Sequence, residues 1–382
     1  MRKRIIAVLL AAVLCFLWPA PGVKAIADEE LSAPSAILME ADTGSILYEK
    51  ASHEVRPCAS ITKVMTLLLT MEAIDSGTIH YDDVVTVSAD AAGMGGSQVF
   101  LAEGEQITVE ELLKAVCVAS GNDAAVALAE KVAGVHELFV EQMNRRAAEL
   151  GMEDTHFVNC TGLTAEGHVT SAHDIALMSR ELILHHSDIR RFTTIWMDTI
   201  RNGAFQLANT NKLIRFYDGA TGLKTGYTAS AGYCISATAE RDGMELIAVI
   251  MKAPDKDART KDAKALLNYG FSTYALVSAA PQEPLTPVPV AMGTADAVQP
   301  IAETENASVL VERSKAGGLT QTVTLEPQVT APVAAGQRLG ELSVLDGDTV
   351  LVTVPLVAQE AVARRSWGQV FTQLLRMAVF AA

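Results

Sequence analysis

At 382 residues, with 49% hydrophobic and 20% charged, the chain is long enough for two or three domains with sizeable cores and too apolar to be disordered throughout. Thirty Lys and Arg against 45 Asp and Glu leave a formal charge of −15, which argues against a nucleic-acid binder, since such a surface needs cations to release phosphate counterions. A polytopic membrane protein is also disfavoured, because the one long apolar run is terminal.

That run opens the chain. Arg2, Lys3 and Arg4 precede the apolar stretch Ile5–Trp18, whose 14 residues are short for a span; a span needs about 18 or more. Small residues at Val23–Lys24–Ala25 or Ala25–Ile26–Ala27 offer cleavage sites, so residues 1–25 read as a secretory signal peptide. An uncleaved anchor is the alternative, and Cys15 is a poor lipoprotein site between bulky Leu14 and Phe16. Cleavage removes four basic residues and no acid, taking the formal charge from −15 to −19. Four cysteines then remain: Cys58, Cys117, Cys160 and Cys234. Export permits disulfides, and four cysteines allow three pairings, but a domain of this size does not depend on staples, so free buried thiols are expected. The wide spacings argue against zinc.

Ser35–Glu40 reads as a strand, Asp42–Thr43–Gly44 as a hairpin turn and Ile46–Tyr48 as the return strand. A helix is expected from Ser60 to about Asp75; its run Val64–Ile74 is apolar nearly all round, which predicts burial. Thr108–Glu111 is a capping box opening a helix to about Val118. Helices follow at Asn122–Val132 and Val135–Leu150, and a second capping signature at Ser171–Asp174 opens one to about His185. Beyond Arg191 the pieces are shorter. Tyr233–Ala239 and Leu246–Met251 read as strands joined at Arg241–Asp242–Gly243, with a closing helix at Asp257–Tyr269. Strands before and after a helical middle suggest an α/β (α+β) sandwich with an antiparallel sheet flanked by helices. This unit is expected over 26–278.

Residues 279–360 read as a small all-β domain, with four prolines between Pro281 and Pro289 and a strand at Thr349–Val354 after the turn Asp346–Gly347–Asp348. The tail, 361–382, holds Arg364, Arg365 and Arg376 and no acid, with Trp367, Phe371, Leu374 and Ala378 on one helical face. Such a helix can lie in a bilayer interface; packing on the β domain is the alternative.

Three short motifs carry the chemistry. Ser60–Ile61–Thr62–Lys63 is S-x-x-K, whose first and last residues share a helix face, so the Lys amine reaches the Ser hydroxyl. Desolvated beside another cation, a Lys loses its proton readily enough to act as a base. Ser120–Gly121–Asn122 sits between two helices, offering a hydroxyl relay and an amide. Lys224–Thr225–Gly226, expected just ahead of a strand starting near Ala231, offers a fixed charge, a hydroxyl and a close backbone approach. Each motif alone is an ordinary surface or cap pattern; in this order and context they form a set.

With PCASITKVMT (57–66), ASGNDAAVALAE (119–130), THFVNCTGL (155–163), HVTSAHDIALM (168–178) and DGATGLKTGYTASAGYC (218–234), the chain resembles the low-molecular-mass penicillin-binding proteins that are serine-type D-alanyl-D-alanine carboxypeptidases. The resemblance runs from about residue 33 to the tail, and implies a β-lactamase/transpeptidase-like catalytic domain, a smaller β domain and an amphipathic membrane anchor. It implies that Ser60 is the nucleophile, Lys63 its base, and Ser120 with Asn122 the proton relay and substrate grip. Lys224 and Thr225 would engage the substrate carboxylate beside Gly226, helped by Arg259. The backbone N–H groups of Ser60 and Tyr227 would form the oxyanion hole; the family often has His where Tyr227 stands, so only the backbone role transfers. The Asn residues of Asn209–Thr210–Asn211 resemble the family's support near the site. The implied substrates are peptidoglycan stem peptides ending in D-Ala-D-Ala, with β-lactams as inhibitors, no metal or cofactor, and a place at the outer face of the cytoplasmic membrane. The rivals are an endopeptidase on crosslinked stems, a β-lactamase using Glu166 as its deacylating base, and a catalytically dead envelope-binding module. A Cys160–His156 protease is weaker still, because the pair is local.

Overall fold

The computed structural model describes residues 26–304 and 307–372. Residues 1–25, read above as a signal peptide, and the last ten residues of the tail lie outside them. The described chain falls into two compact units. The first takes the chain up to Glu40, Ile46–Arg241 and Glu245–Thr273; the second takes Ala41–Ser45, Asp242–Met244 and the chain from Tyr274 on.

The first unit is built on a five-stranded antiparallel sheet. Its strands are β1 (Ser35–Glu40), β2 (Ile46–Lys50), β3 (Ala220–Thr228), β4 (Gly232–Arg241) and β5 (Met244–Ala253), in the order β2-β1-β5-β4-β3. Every residue of β1 is buried, as is nearly all of β5, so both faces of the sheet are covered. The closing helix α5 (Lys256–Thr273) packs on one face, where Gly270 lies against Leu246 and Leu38. A Cβ there would sit 2.4 Å from Leu246 Cδ1.

The other face carries the helical middle: α1 (Lys63–Asp75), α2 (Asn122–Ala133), α3 (His136–Glu149) and α4 (Ala172–His185). Helix α1 is buried on all sides from Lys63 to Met71, as its unbroken apolar run predicts. The capping residues act as expected: Thr108 Oγ1 accepts from Glu111 N at 3.2 Å, and Ser171 Oγ from Asp174 N at 3.2 Å. The helix opened by Thr108 runs as α only to Lys114, and Ala115–Ala119 continue it as a π turn. A buried Ser179–Ser236 contact of 2.8 Å ties α4 to β4.

One placement departs from expectation. Lys224–Thr225–Gly226 lies inside β3 rather than ahead of a strand. Glycines at 222 and 226 and Lys224 between them weaken the pattern by which a strand is read. Pairing with β4, from Ala220 opposite Ala239 to Thr228 opposite Gly232, holds the strand in place instead.

The second unit is β-rich. Strand Tyr274–Ser278 pairs with Ser308–Glu312, and a four-stranded sheet contains the hairpin Arg338–Asp346 and Thr349–Ala358. Val288, Val290, Val298, Val333, Leu339 and Val362 fill one small core, and Leu342, Val344, Val354 and Leu356 a second. The tail departs from expectation at its start: Val362 pairs with Val333 and Arg364 with Gly293, so helical structure begins only beyond Ser366. Within the described part of that helix Trp367 is 90% and Phe371 65% exposed; Leu374 and Ala378 fall outside the described residues. Among the described residues no helix is long and apolar enough to cross a membrane.

Candidate active site

Ser60 sits in a tight turn, Ala59–Thr62, at the mouth of α1. Ala59 holds a left-handed φ of 50°, a costly conformation for a residue with a Cβ. One turn on, Lys63 is fully buried. Its Nζ reaches Ser60 Oγ at 3.0 Å, donates to Asn122 Oδ1 at 2.6 Å and donates to the Thr161 carbonyl at 2.7 Å. Asn122 Nδ2 donates to Gly95 O at 2.6 Å, which fixes the amide so that its oxygen faces Lys63. With the ammonium protonated, Nζ donates to all three oxygens; once it loses a proton, the two obligate acceptors would take its remaining N–H bonds and leave its lone pair for the Ser60 hydroxyl. Burial, and then the charge of Lys224, hold the Lys63 ammonium well below its ordinary range.

Ser120 ends the π turn in a left-handed conformation, φ 64°, and Gly121 carries the chain into α2. Single π turns recur at functional sites, and this one closes the helix just ahead of Ser120. The Ser120 hydroxyl is buried and, among the described residues, has no hydrogen-bond partner. Asp123, next in sequence, anchors the neighbouring loop: its carboxylate accepts from Val99 N at 3.0 Å, Leu101 N at 3.0 Å and Ala124 N at 2.9 Å. This role was not read from the sequence, where Asp123 looks like a first-turn helix acid.

From the sheet side, β3 brings in Lys224, Thr225 and Gly226. Lys224 is buried, donates from Nζ to Thr225 O at 2.9 Å, and is pushed down to about 7 by burial, with Arg259 adding in the same direction. Thr225 Oγ1 donates to Thr210 Oγ1 at 2.8 Å. A Cβ on Gly226 would lie 3.0 Å from Ser60 N and 2.9 Å from Cys58 O, so the strand touches the Ser60 turn backbone to backbone. Tyr227 is 56% exposed, its ring tilted against that of Tyr233 with centroids 4.3 Å apart. Arg259, on α5, is buried, and among the described residues its Nε has no hydrogen-bond partner; burial lowers it, and Tyr233 and Cys234 face it. Asn211 Nδ2 donates to Gly222 O at 2.9 Å, and Asn209 Oδ1 accepts from Asn211 N at 2.8 Å, so Asn209–Thr210–Asn211 braces β3.

The three motifs therefore converge on Ser60. The loop 155–170, quoted in the sequence only as part of a resemblance, supplies the Thr161 carbonyl. Asn159 Oδ1 holds that loop by accepting from Thr161 N at 3.1 Å and Gly162 N at 2.7 Å. Glu166 in the same loop is exposed. All four described cysteines are free and buried; burial pushes Cys58, Cys117 and Cys160 up to about 12 and Cys234 to about 11. Cys160 is closed off from substrate by that burial, which speaks against the Cys160 reading. Among the described residues, two groups have carboxylate and imidazole atoms close enough to share a cation, Glu72–Glu181–His186 and Asp90–Glu130–His136. In the first, Arg146 already pairs with both carboxylates, at 2.7 and 2.6 Å.

Comparison with known proteins gives concordant matches. The family model "D-alanyl-D-alanine carboxypeptidase" covers residues 22–255, and the model "Penicillin-binding protein 5, C-terminal domain" covers residues 271–364. The chain is 40% identical over 369 residues to the D-alanyl-D-alanine carboxypeptidase DacF of Bacillus subtilis, with 94% of each chain covered. The crystal structure of penicillin-binding protein 5 from Haemophilus influenzae superposes with a TM-score of 0.74 at 27% identity, covering 89% of this chain and all of that one. Penicillin-binding protein D2 of Listeria monocytogenes, solved in its ampicillin-bound form, matches with a TM-score of 0.59 at 33% identity, over 64% of this chain and all of that one. With more than half of its length under one family model and a second model over its β-rich unit, the chain belongs to the serine-type D-alanyl-D-alanine carboxypeptidases and ends in a domain of the penicillin-binding protein 5 type.

Proposed function

We propose that the enzyme removes the terminal D-alanine from peptidoglycan stem peptides through an acyl-enzyme on Ser60. Lys63 takes the hydroxyl proton as Ser60 Oγ bonds to the carbonyl carbon of the penultimate D-Ala. The oxyanion is received by the backbone N–H groups of Ser60 and Tyr227. Lys224, Thr225 and Arg259 hold the terminal carboxylate, which explains why a chain so acidic concentrates buried cations here. The proton passes through Ser120 to the leaving nitrogen, the C–N bond breaks, and D-alanine departs. Water then cleaves the ester and restores Ser60. A β-lactam presents the same carbonyl, but its leaving nitrogen stays tethered, so the acyl-enzyme persists.

The observation that carries this reading is the three-way contact of Lys63 Nζ with Ser60 Oγ, Asn122 Oδ1 and Thr161 O. Its test is Ser60→Ala, which is expected to abolish both D-Ala release and labelling by a fluorescent penicillin. Retained release in that variant refutes the assignment. Crosslinked muropeptides, offered beside pentapeptides, separate carboxypeptidase from endopeptidase activity. The apolar N-terminal segment, read as a signal peptide, and the basic, Trp- and Phe-bearing tail support a place at the outer face of the cytoplasmic membrane.

A further inference from the structure

His168 is buried, and its hydrogen bonds fix its tautomer. The Val158 N–H donates to Nδ1 at 2.9 Å, so Nδ1 is the acceptor and the ring proton sits on Nε2. That Nε2–H meets Thr62 Oγ1 at 2.7 Å. Thr62 Oγ1 in turn donates to the Ala59 carbonyl at 2.9 Å. Cys58 Sγ, 3.2 Å from the same hydroxyl, is left to donate to it, because the hydroxyl proton is already committed to Ala59. Burial holds His168 down to about 4, with His156 adding to it, so the ring stays neutral and this donor order persists at neutral pH.

The chain of bonds ends on a peptide unit that matters. The Ala59 carbonyl and the Ser60 N–H belong to one plane, and in a trans peptide they point in opposite directions. Holding the carbonyl on Thr62 therefore aims the N–H. The same unit is gripped by two glycines from distant segments. A Cβ on Gly162 would lie 1.8 Å from Ala59 O and 2.8 Å from Ser60 N, and one on Gly226 would lie 3.0 Å from Ser60 N and 3.1 Å from Ala59 Cβ.

We infer that His168 is a positioning residue for the oxyanion hole, acting through Thr62 and the Ala59–Ser60 peptide to hold the Ser60 N–H toward the developing oxyanion. The inference rests on the reading of Ser60 as nucleophile. It assigns Thr62 a function of its own inside the S-x-x-K motif, and it gives the His168 stretch, otherwise only a loop ahead of a helix cap, a part in the reaction. A group that aims an oxyanion donor is felt in the transition state and little in ground-state binding, so its loss lowers the acylation rate constant and leaves the preceding dissociation constant alone.

The test uses stopped-flow acylation by a chromogenic β-lactam, resolved into the dissociation constant and the first-order acylation step, for His168→Ala, Thr62→Val, Thr62→Ser and the His168→Ala/Thr62→Val pair. Deleting an oxyanion donor outright costs ~100-fold or more, and losing only its aim is expected to cost roughly 10-fold in the acylation step. Thr62→Ser, which keeps the hydroxyl, is expected to stay near wild type. The double variant is expected to be no slower than either single one, because both break one chain. Multiplicative losses, a Thr62→Ser variant as slow as Thr62→Val, or an effect confined to the dissociation constant overturns the inference. If His168→Ala does not fold, the contrast between Thr62→Ser and Thr62→Val decides alone. A wild type that is never acylated refutes the Ser60 reading itself, whereas an acylated wild type with unaltered variants refutes only the role of His168.

Discussion

Gly162→Ala probes the centre of the site with one methyl group. Gly162 has a φ of 83°, where an L side chain costs about 1–2 kcal/mol. The new Cβ would also fall 1.8 Å from Ala59 O and 2.3 Å from Ala59 C, so one backbone segment must retreat by about 1.5 Å to restore ordinary contact. Overpacking of that kind costs about 1–3 kcal/mol, giving roughly 2–5 kcal/mol in all. Asn159, which holds Gly162 N at 2.7 Å, resists retreat of the loop, so much of the shift falls on the Ala59–Ser60 peptide. A displacement of about 1 Å at reacting groups costs on the order of 100-fold in rate. Urea unfolding and fluorescent-penicillin labelling, run on the same preparation, measure both effects. A variant that unfolds at the wild-type midpoint and is acylated at the wild-type rate would show that this peptide is not clamped as described.

The remaining predictions concern pH and the tail. His168 is held at about 4 in the fold against 6.5 unfolded, so the unfolded chain binds the extra proton between those values. Stability is therefore full above pH 6.5 and is lost as pH falls toward 4, by about 3 kcal/mol, a loss that His168→Gln should lack in urea titrations across that range. Lys224 is held at about 7 against 10.5, so the unfolded chain again binds more protons, and stability should rise with pH from 7 to 9 by up to about 1.4 kcal/mol per unit. Lys224→Met should flatten that rise; parallel curves for the two proteins would count against a buried, destabilised ammonium. Removing Ser366–Ala382 should free the protein from sedimenting membrane vesicles while leaving soluble-substrate turnover unchanged. Cutting instead before Ala361 removes the buried Val362 from its core and should lower the melting temperature of the β-rich unit.

Motif residues that act through side chains on regular elements were legible in the sequence. Ser60 and Lys63 stand three apart at the start of an apolar helix, and Asn122 opens the next helix after a Ser-Gly pair. The caps at Thr108 and Ser171 were legible for the same reason, since a side-chain oxygen meets a backbone N–H two or three residues on. What stayed hidden acts through backbone or at long range. Thr161 contributes a carbonyl, which every residue type has. Gly162 contributes the absence of a Cβ, and a glycine in a loop has many other reasons to be there. Asp123 binds the amides of residues 99 and 101, a contact that forms only when the two segments are packed. Strand β3 was missed because two glycines and a lysine outweigh its three apolar or aromatic positions, and cross-strand pairing overrode local preference.

Strand β3 is the last strand of its sheet. Recognition along such a border would use peptide groups, which side-chain changes leave in place and only a proline, by removing an N–H, can delete. Escape from an inhibitor that exploits it would have to come from altering the strand's path or the turn that faces it, and either change would also disturb the enzyme's own substrate.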